Sequence, residues 1–81
     1  MKKAIALKYP EDAPAPFILA KEKNFLAEQM IKIAESKHIP VIKDSMTANI
    51  LSLYEINSFI PEETYQVIAK IFAFIRSNDY E

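Results

Sequence analysis

The sequence predicts an α/β fold, a small mixed sheet of about three strands packed with three helices, in one domain spanning residues 1–81. Three observations carry that prediction. Short β-prone runs at 3–9, 17–21 and 40–43 are interleaved with segments of helical periodicity at 24–38, 46–56 and 61–77. A stretch with three prolines at 10–16 separates the first two β-prone runs. A chain of 81 residues, 51% apolar, holds one thin core and no second one.

The first run alternates large Ile5, Leu7 and Tyr9 with Ala4, Ala6 and Lys8, the period of a strand with one heavy face. Residues 10–16 contain three prolines, which lack the N–H that a sheet or helix needs, so the segment is an extended loop. Phe17-Ile18-Leu19-Ala20-Lys21 reads as the second strand. Asn24 is placed to cap a helix with Leu26, Ala27, Met30, Ile33 and Ala34 on its packing face. Glu28, Gln29, Lys32, Glu35 and Ser36 face away. Pro40-Val41-Ile42-Lys43 reads as a third strand, which a right-handed crossover makes parallel to the second. Asp44 or Ser45 opens the next helix, with Ile50, Leu51, Leu53 and Tyr54 apolar. Pro61, followed by Glu62 and Glu63, suits the start of the last helix, where acidic side chains complement the dipole. Asn78-Asp79-Tyr80-Glu81 reads as a frayed tail.

The last helix is apolar over too wide an arc. On a wheel, Tyr65, Val67, Ile68, Ala69, Ile71, Phe72, Ala73, Phe74 and Ile75 cover about 260°. A surface helix shows a stripe of little more than about 100°. Two readings account for this. Either the helix is wedged into the core, or part of its arc stays open as a docking surface.

Several kinds of chemistry have no support. There is no cysteine and a single histidine, His38, so neither a disulfide nor a zinc ligand set is available. Glycine is absent, which excludes glycine-rich phosphate loops. Ser36 and His38 are two apart on a helix and point to different faces. His38 reads as a solvated or capping residue at a helix C-terminus. Ten basic against eleven acidic residues give a net charge of -1, without the positive stripe that nucleic acid requires. No apolar run approaches the ~18–20 residues that span a bilayer. The expectation is an intracellular protein that is not an enzyme, binds no cofactor, metal or nucleic acid and does not insert into the membrane.

The order of segments resembles a known family. Ala4-Ile5-Ala6-Leu7-Lys8-Tyr9 resembles the strand that follows the Asn-Pro-Thr-His cleavage motif in the FlhB/YscU/SpaS family of type III secretion proteins. Ala15-Pro16-Phe17-Ile18-Leu19-Ala20-Lys21 resembles that family's next strand, and His38-Ile39-Pro40-Val41 its following helix end and strand. Ile60-Pro61-Glu62-Glu63-Thr64-Tyr65 with Val67-Ile68-Ala69 resembles the opening of its last helix. The motif itself is missing, with Met1-Lys2-Lys3 standing where its end would be. The chain therefore resembles the fragment that family cleavage releases, and a cytoplasmic domain lacking its first strand.

The resemblance implies a component or modulator of flagellar type III export, cytoplasmic or peripheral at the export gate. Its implied partners are full-length or truncated FlhB, other export gate proteins and early export substrates. It implies two sites. A substrate-docking patch falls on Ala15, Pro16, Ala69 and Phe72, with Phe72 bulkier than the family's usual leucine. A partner-strand edge falls on Ala4, Ile5, Ala6 and Leu7, which the absent strand leaves unpaired. The alternative is a structural or regulatory interaction module unrelated to secretion, homodimeric through the last helix.

Overall fold

The computed structural model describes residues 2–79, with side chains to residue 76. Two strands, β1 (Lys3–Lys8) and β2 (Phe17–Lys23), pair antiparallel. Three helices follow: α1 (Asn24–Ser36), α2 (Ser45–Leu51) and α3 (Tyr65–Asp79), the last preceded by a 3-10 turn at Glu62–Thr64. α3 continues through Asn78 and Asp79, expected to belong to the tail, whereas Tyr80 and Glu81 lie outside the described residues.

The alternation in β1 sorts its side chains as expected. Ile5 and Leu7 pack on the main core, whose buried members are Ala15, Ile18, Leu51, Ile60 and Ile68. Ala4 points the other way and is buried. α1 packs against both strands, and its Ala27 is fully buried. In β2, Ile18 pairs with Leu7 and Lys21 with Ile5, which puts both on the core side although they are three apart. The register shift beside Leu19 absorbs the odd residue, and Leu19 is left exposed.

α1 is rotated from its expected setting. Leu26 and Ile33 are 56% and 54% exposed, while Ala27 is buried and Ile31 and Ala34 partly so. The packing side is Ala27, with Met30, Ile31 and Ala34 partly buried beside it, turned by about 50° at 100° per residue. Small Ala27 and Ala34 let the helix lie close on the sheet, a gain that hydrophobicity alone does not register. Asn24 does not cap with its side chain; it takes φ 54 and donates its N–H to Lys2 O at 2.8 Å, which turns the chain from strand into helix.

The chain has no glycine, so its left-handed positions fall to Asn24, His38 and Asn57. His38, at φ 60, closes α1: its N–H bonds Glu35 O at 3.2 Å and the Ile39 N–H reaches Ala34 O at 2.8 Å. That is a Schellman ending with histidine in the place glycine usually takes.

Residues 40–43 form no strand, and the expected parallel crossover is not made. Val41 and Ile42 are exposed. Their β-branched composition favours a strand only if a neighbouring strand accepts the backbone, and among the described residues none does. Asp44 caps α2, its Oδ1 accepting from the Thr47 N–H at 3.1 Å, and the helix ends at Leu51 instead of 56. Leu53, expected on its apolar face, is exposed.

Lys21, the last residue of the expected second strand, turns inward. Its Nζ donates to Tyr54 O at 2.7 Å and Ser52 O at 3.2 Å, carbonyls just past the end of α2. The following segment then runs beside β2. Ile18 donates to Ser58 O at 2.9 Å, Asn57 to Ile18 O at 2.7 Å, and Ile60 to Pro16 O at 3.0 Å. These bonds cover the outer edge of β2 at its start.

Candidate functional site: an apolar groove and an open strand edge

The proline-rich loop and α3 enclose a groove of about 320 Å³. Pro14, Ala15 and Pro16 form one side as the loop descends into β2. Ala15 is 4% exposed and Pro16 is also buried, so these two supply a rigid floor, not a protruding surface. The bond from Ile60 N–H to Pro16 O fixes that floor and brings Ile60 into the lining.

α3 forms the other side through Tyr65, Ile68, Ala69, Phe72, Ala73 and Arg76, successive positions at helical spacing on one face. Ile68 is 4% exposed and belongs to the core. Ala69 and Ala73, one turn apart, are exposed, and their short side chains keep the wall low between Tyr65 and Arg76. Phe72 is half-buried, and Tyr9, just past β1, leans on it with ring centroids 5.8 Å apart at 56°.

The wide apolar arc of α3 is thus divided. Ile68 is buried, Val67, Ile71, Phe72 and Ile75 are partly buried, and Tyr65, Ala69, Ala73 and Phe74 remain exposed. All four sequence-predicted patch residues line the same groove, in unequal roles. Tyr9, Ile60, Ala73 and Arg76 were not singled out. The i, i+3, i+4 spacing from Ala69 and Phe72 identifies Ala73 and Arg76; Tyr9 and Ile60 arrive by tertiary contacts that carry no local signal.

The groove's chemistry is mostly that of contact. Among the described residues no buried side-chain oxygen or nitrogen lacks a partner and no cluster has the composition of a metal site. Arg76 is the single charged lining residue, and it also borders a smaller depression of about 190 Å³ shared with Tyr9, Pro10 and Glu11.

The second candidate is the outer edge of β1. Ala4 is buried, and Ile5, Ala6 and Leu7 are partly buried, so the strand itself is well seated. Its edge is different: among the described residues β2 is the one strand paired with it. α2 packs on β1, so residues 40–43 enter α2 on this strand's side of the fold. Among the described residues, no helix is long and apolar enough to cross a membrane.

Known proteins resemble this arrangement over nearly the whole chain. A family model described as the FlhB HrpN YscU SpaS Family matches residues 1–75. YlqH of Bacillus subtilis (strain 168) is 32% identical over 80 residues, covering 98% of this chain and 86% of that protein. FlhB of Aquifex aeolicus (strain VF5), a flagellar biosynthetic protein, is 38% identical over 74 residues, which are 89% of this chain but 21% of that protein. The chain therefore spans about a fifth of the FlhB relative. A mutated EscU/SpaS C-terminal domain superposes with a TM-score of 0.84 at 31% identity, covering 90% of this chain and 93% of that one. The cytoplasmic domain of FlhB from Shewanella putrefaciens gives 0.83 at 23% identity, over 90% of this chain and 61% of that one, a likeness of fold.

Proposed function

The chain belongs to the FlhB HrpN YscU SpaS family, and on that premise we propose that it is a non-enzymatic docking and specificity module of flagellar type III protein export. Early export substrates seat apolar side chains in the groove between the proline-rich loop and α3. The observation that carries this reading is the convergence of Ala15, Pro16, Ala69 and Phe72, from two distant stretches, on one open apolar groove. A preformed, rigid floor lowers the ordering cost of binding, and the low wall at Ala69 and Ala73 gives access.

The same reading gives the β1 edge a partner. Full-length or truncated FlhB supplies a strand there, so that this chain substitutes for the C-terminal fragment of FlhB at the cytoplasmic side of the export gate. Among the described residues the outer edge of β1 and residues 40–43 have no strand partner, which supports this reading, because backbone donors and acceptors along such an edge form a ready template for strand addition.

The test is retention of purified early export substrates on the immobilised chain. Retention that Ala69→Asp abolishes, with the fold kept, is the expected result. Equal retention by the wild-type and Ala69→Asp chains removes the groove from the account. A homodimer through α3 would cover the same groove, and sedimentation of the free chain separates that case.

A further inference from the structure

Arg76 closes the apolar groove at one end, and among the described residues no carboxylate forms an ion pair with it. The described residues hold one ion pair, Lys2 with Glu28 at 3.7 Å, at another part of the fold. Arg76 lies one turn beyond Phe72 and borders both the groove and the smaller depression. At the other end, Tyr65 and Ile60 offer no charge. From Tyr65 to Arg76 the helix rises about 16 Å at 1.5 Å per residue, which about five extended residues span.

An exposed guanidinium is well solvated while the groove stands empty. A ligand that fills the groove with apolar side chains removes water from around it, and the lowered local dielectric then favours a carboxylate at the cation. Guanidinium geometry matches a carboxylate with two parallel hydrogen bonds. Glu11, across the smaller depression, repels an acidic group that reaches past Arg76. The acid is therefore favoured at the groove's end and not beyond it.

We infer that the groove's occupant is a short peptide segment with apolar side chains over Ala69 and Ala73 and an acidic residue at its Arg76 end. The charge gives the groove a direction, since an acid at the Tyr65 end meets no cation. This inference rests on the docking reading above and adds the chemistry and orientation of the bound segment.

The test uses labelled ten-residue peptides carrying two leucines two positions apart, on one face of an extended chain, with glutamate, glutamine or lysine flanking the pair on either side. Binding is followed by fluorescence anisotropy to the wild-type chain, Arg76→Gln, Arg76→Glu and Ala69→Phe. The glutamate peptide of one polarity is expected to bind the wild type about two- to fivefold tighter than its glutamine counterpart, the range of an exposed ion pair. That preference disappears in Arg76→Gln and inverts toward lysine in Arg76→Glu. Equal binding of all flanks to the wild type, with Ala69→Phe weakening every peptide, overturns the inference and leaves the docking reading standing. No peptide binding to the wild type, even at millimolar concentration, overturns both.

Discussion

The Lys21 ammonium donates to the Tyr54 carbonyl at 2.7 Å and thereby ties the middle of β2 to the turn that follows α2. A second bond to Ser52 O makes the contact a C-terminal cap delivered from a strand. The segment it anchors runs on to Ile60, which lines the groove.

Lys21→Met should therefore destabilise the fold although it replaces a charged side chain by an apolar one of similar length. Hydrogen bonds from a charged donor contribute about 1.5–3 kcal/mol each when buried. Lys21 is half-buried, so the expected loss is about 1–2 kcal/mol. In a chain of this size, that lowers Tm by roughly 4–16 °C. Thermal unfolding followed by circular dichroism checks it, and an unchanged Tm would show that water replaces the lysine without loss.

Adjacent positions on α3 should respond oppositely to the same substitution. Ala69 is exposed on the groove wall, whereas Ile68 is 4% exposed and sits in the core. Ile68→Asp places an unpaired charge among Ile18, Leu51 and Ile60 and is expected to unfold the chain. Ala69→Asp costs only helix propensity, about 0.5 kcal/mol. It should still weaken apolar ligands about tenfold or more, because a desolvated charge faces them. Unfolding data beside substrate retention separate the two effects.

Much of this architecture is written locally. The alternation of Ile5 and Leu7 specifies β1, and Asp44 three residues before Thr47 specifies the start of α2. The excess apolar arc of α3 marked the helix that borders the groove. What was not legible depends on neighbours. Residues 40–43 have the composition of a strand, but pairing is a property of two segments, and no described strand lies against them. The rotation of α1 onto Ala27, Ile31 and Ala34 is a matter of close approach, which hydrophobic periodicity blurs. Lys21 as an internal cap and Tyr9 against Phe72 join residues more than thirty positions apart.

His38→Gly should stabilise the chain. His38 holds φ 60 at the end of α1, a conformation that costs a residue with a Cβ about 1 kcal/mol and glycine nothing. The greater freedom of glycine in the unfolded chain cancels part of that gain, leaving about 0.5 kcal/mol. His38→Val, with a branched Cβ, should lose more than 1 kcal/mol at the same position, on the order of the strain for such residues. Denaturant midpoints of the two variants check the order, and a stability of His38→Val equal to wild type would deny the left-handed ending.

The β1 edge yields the last prediction. In an antiparallel pair, alternate residues direct their backbone groups toward the partner and the others toward the outside. In β1 the outward set has no strand partner among the described residues, while the inward set bonds β2. Amide hydrogen exchange in the isolated chain should therefore alternate along Lys3–Lys8, slow toward β2 and fast toward the open edge. The exposed lysine at the end of the strand, Lys8, discourages unspecific edge pairing, whereas the Ala4 to Leu7 stretch is apolar and receptive. Adding a FlhB cytoplasmic fragment that ends at the asparagine of its Asn-Pro-Thr-His motif should slow the outward amides and leave the inward ones unchanged. Protection of residues 40–43 at the same time would mean that the added strand is flanked on both sides, which gives their β-branched side chains the neighbour they lack. Fast exchange persisting at the outward amides, with the fragment in excess, would rule out strand addition at this edge while leaving the groove unaffected.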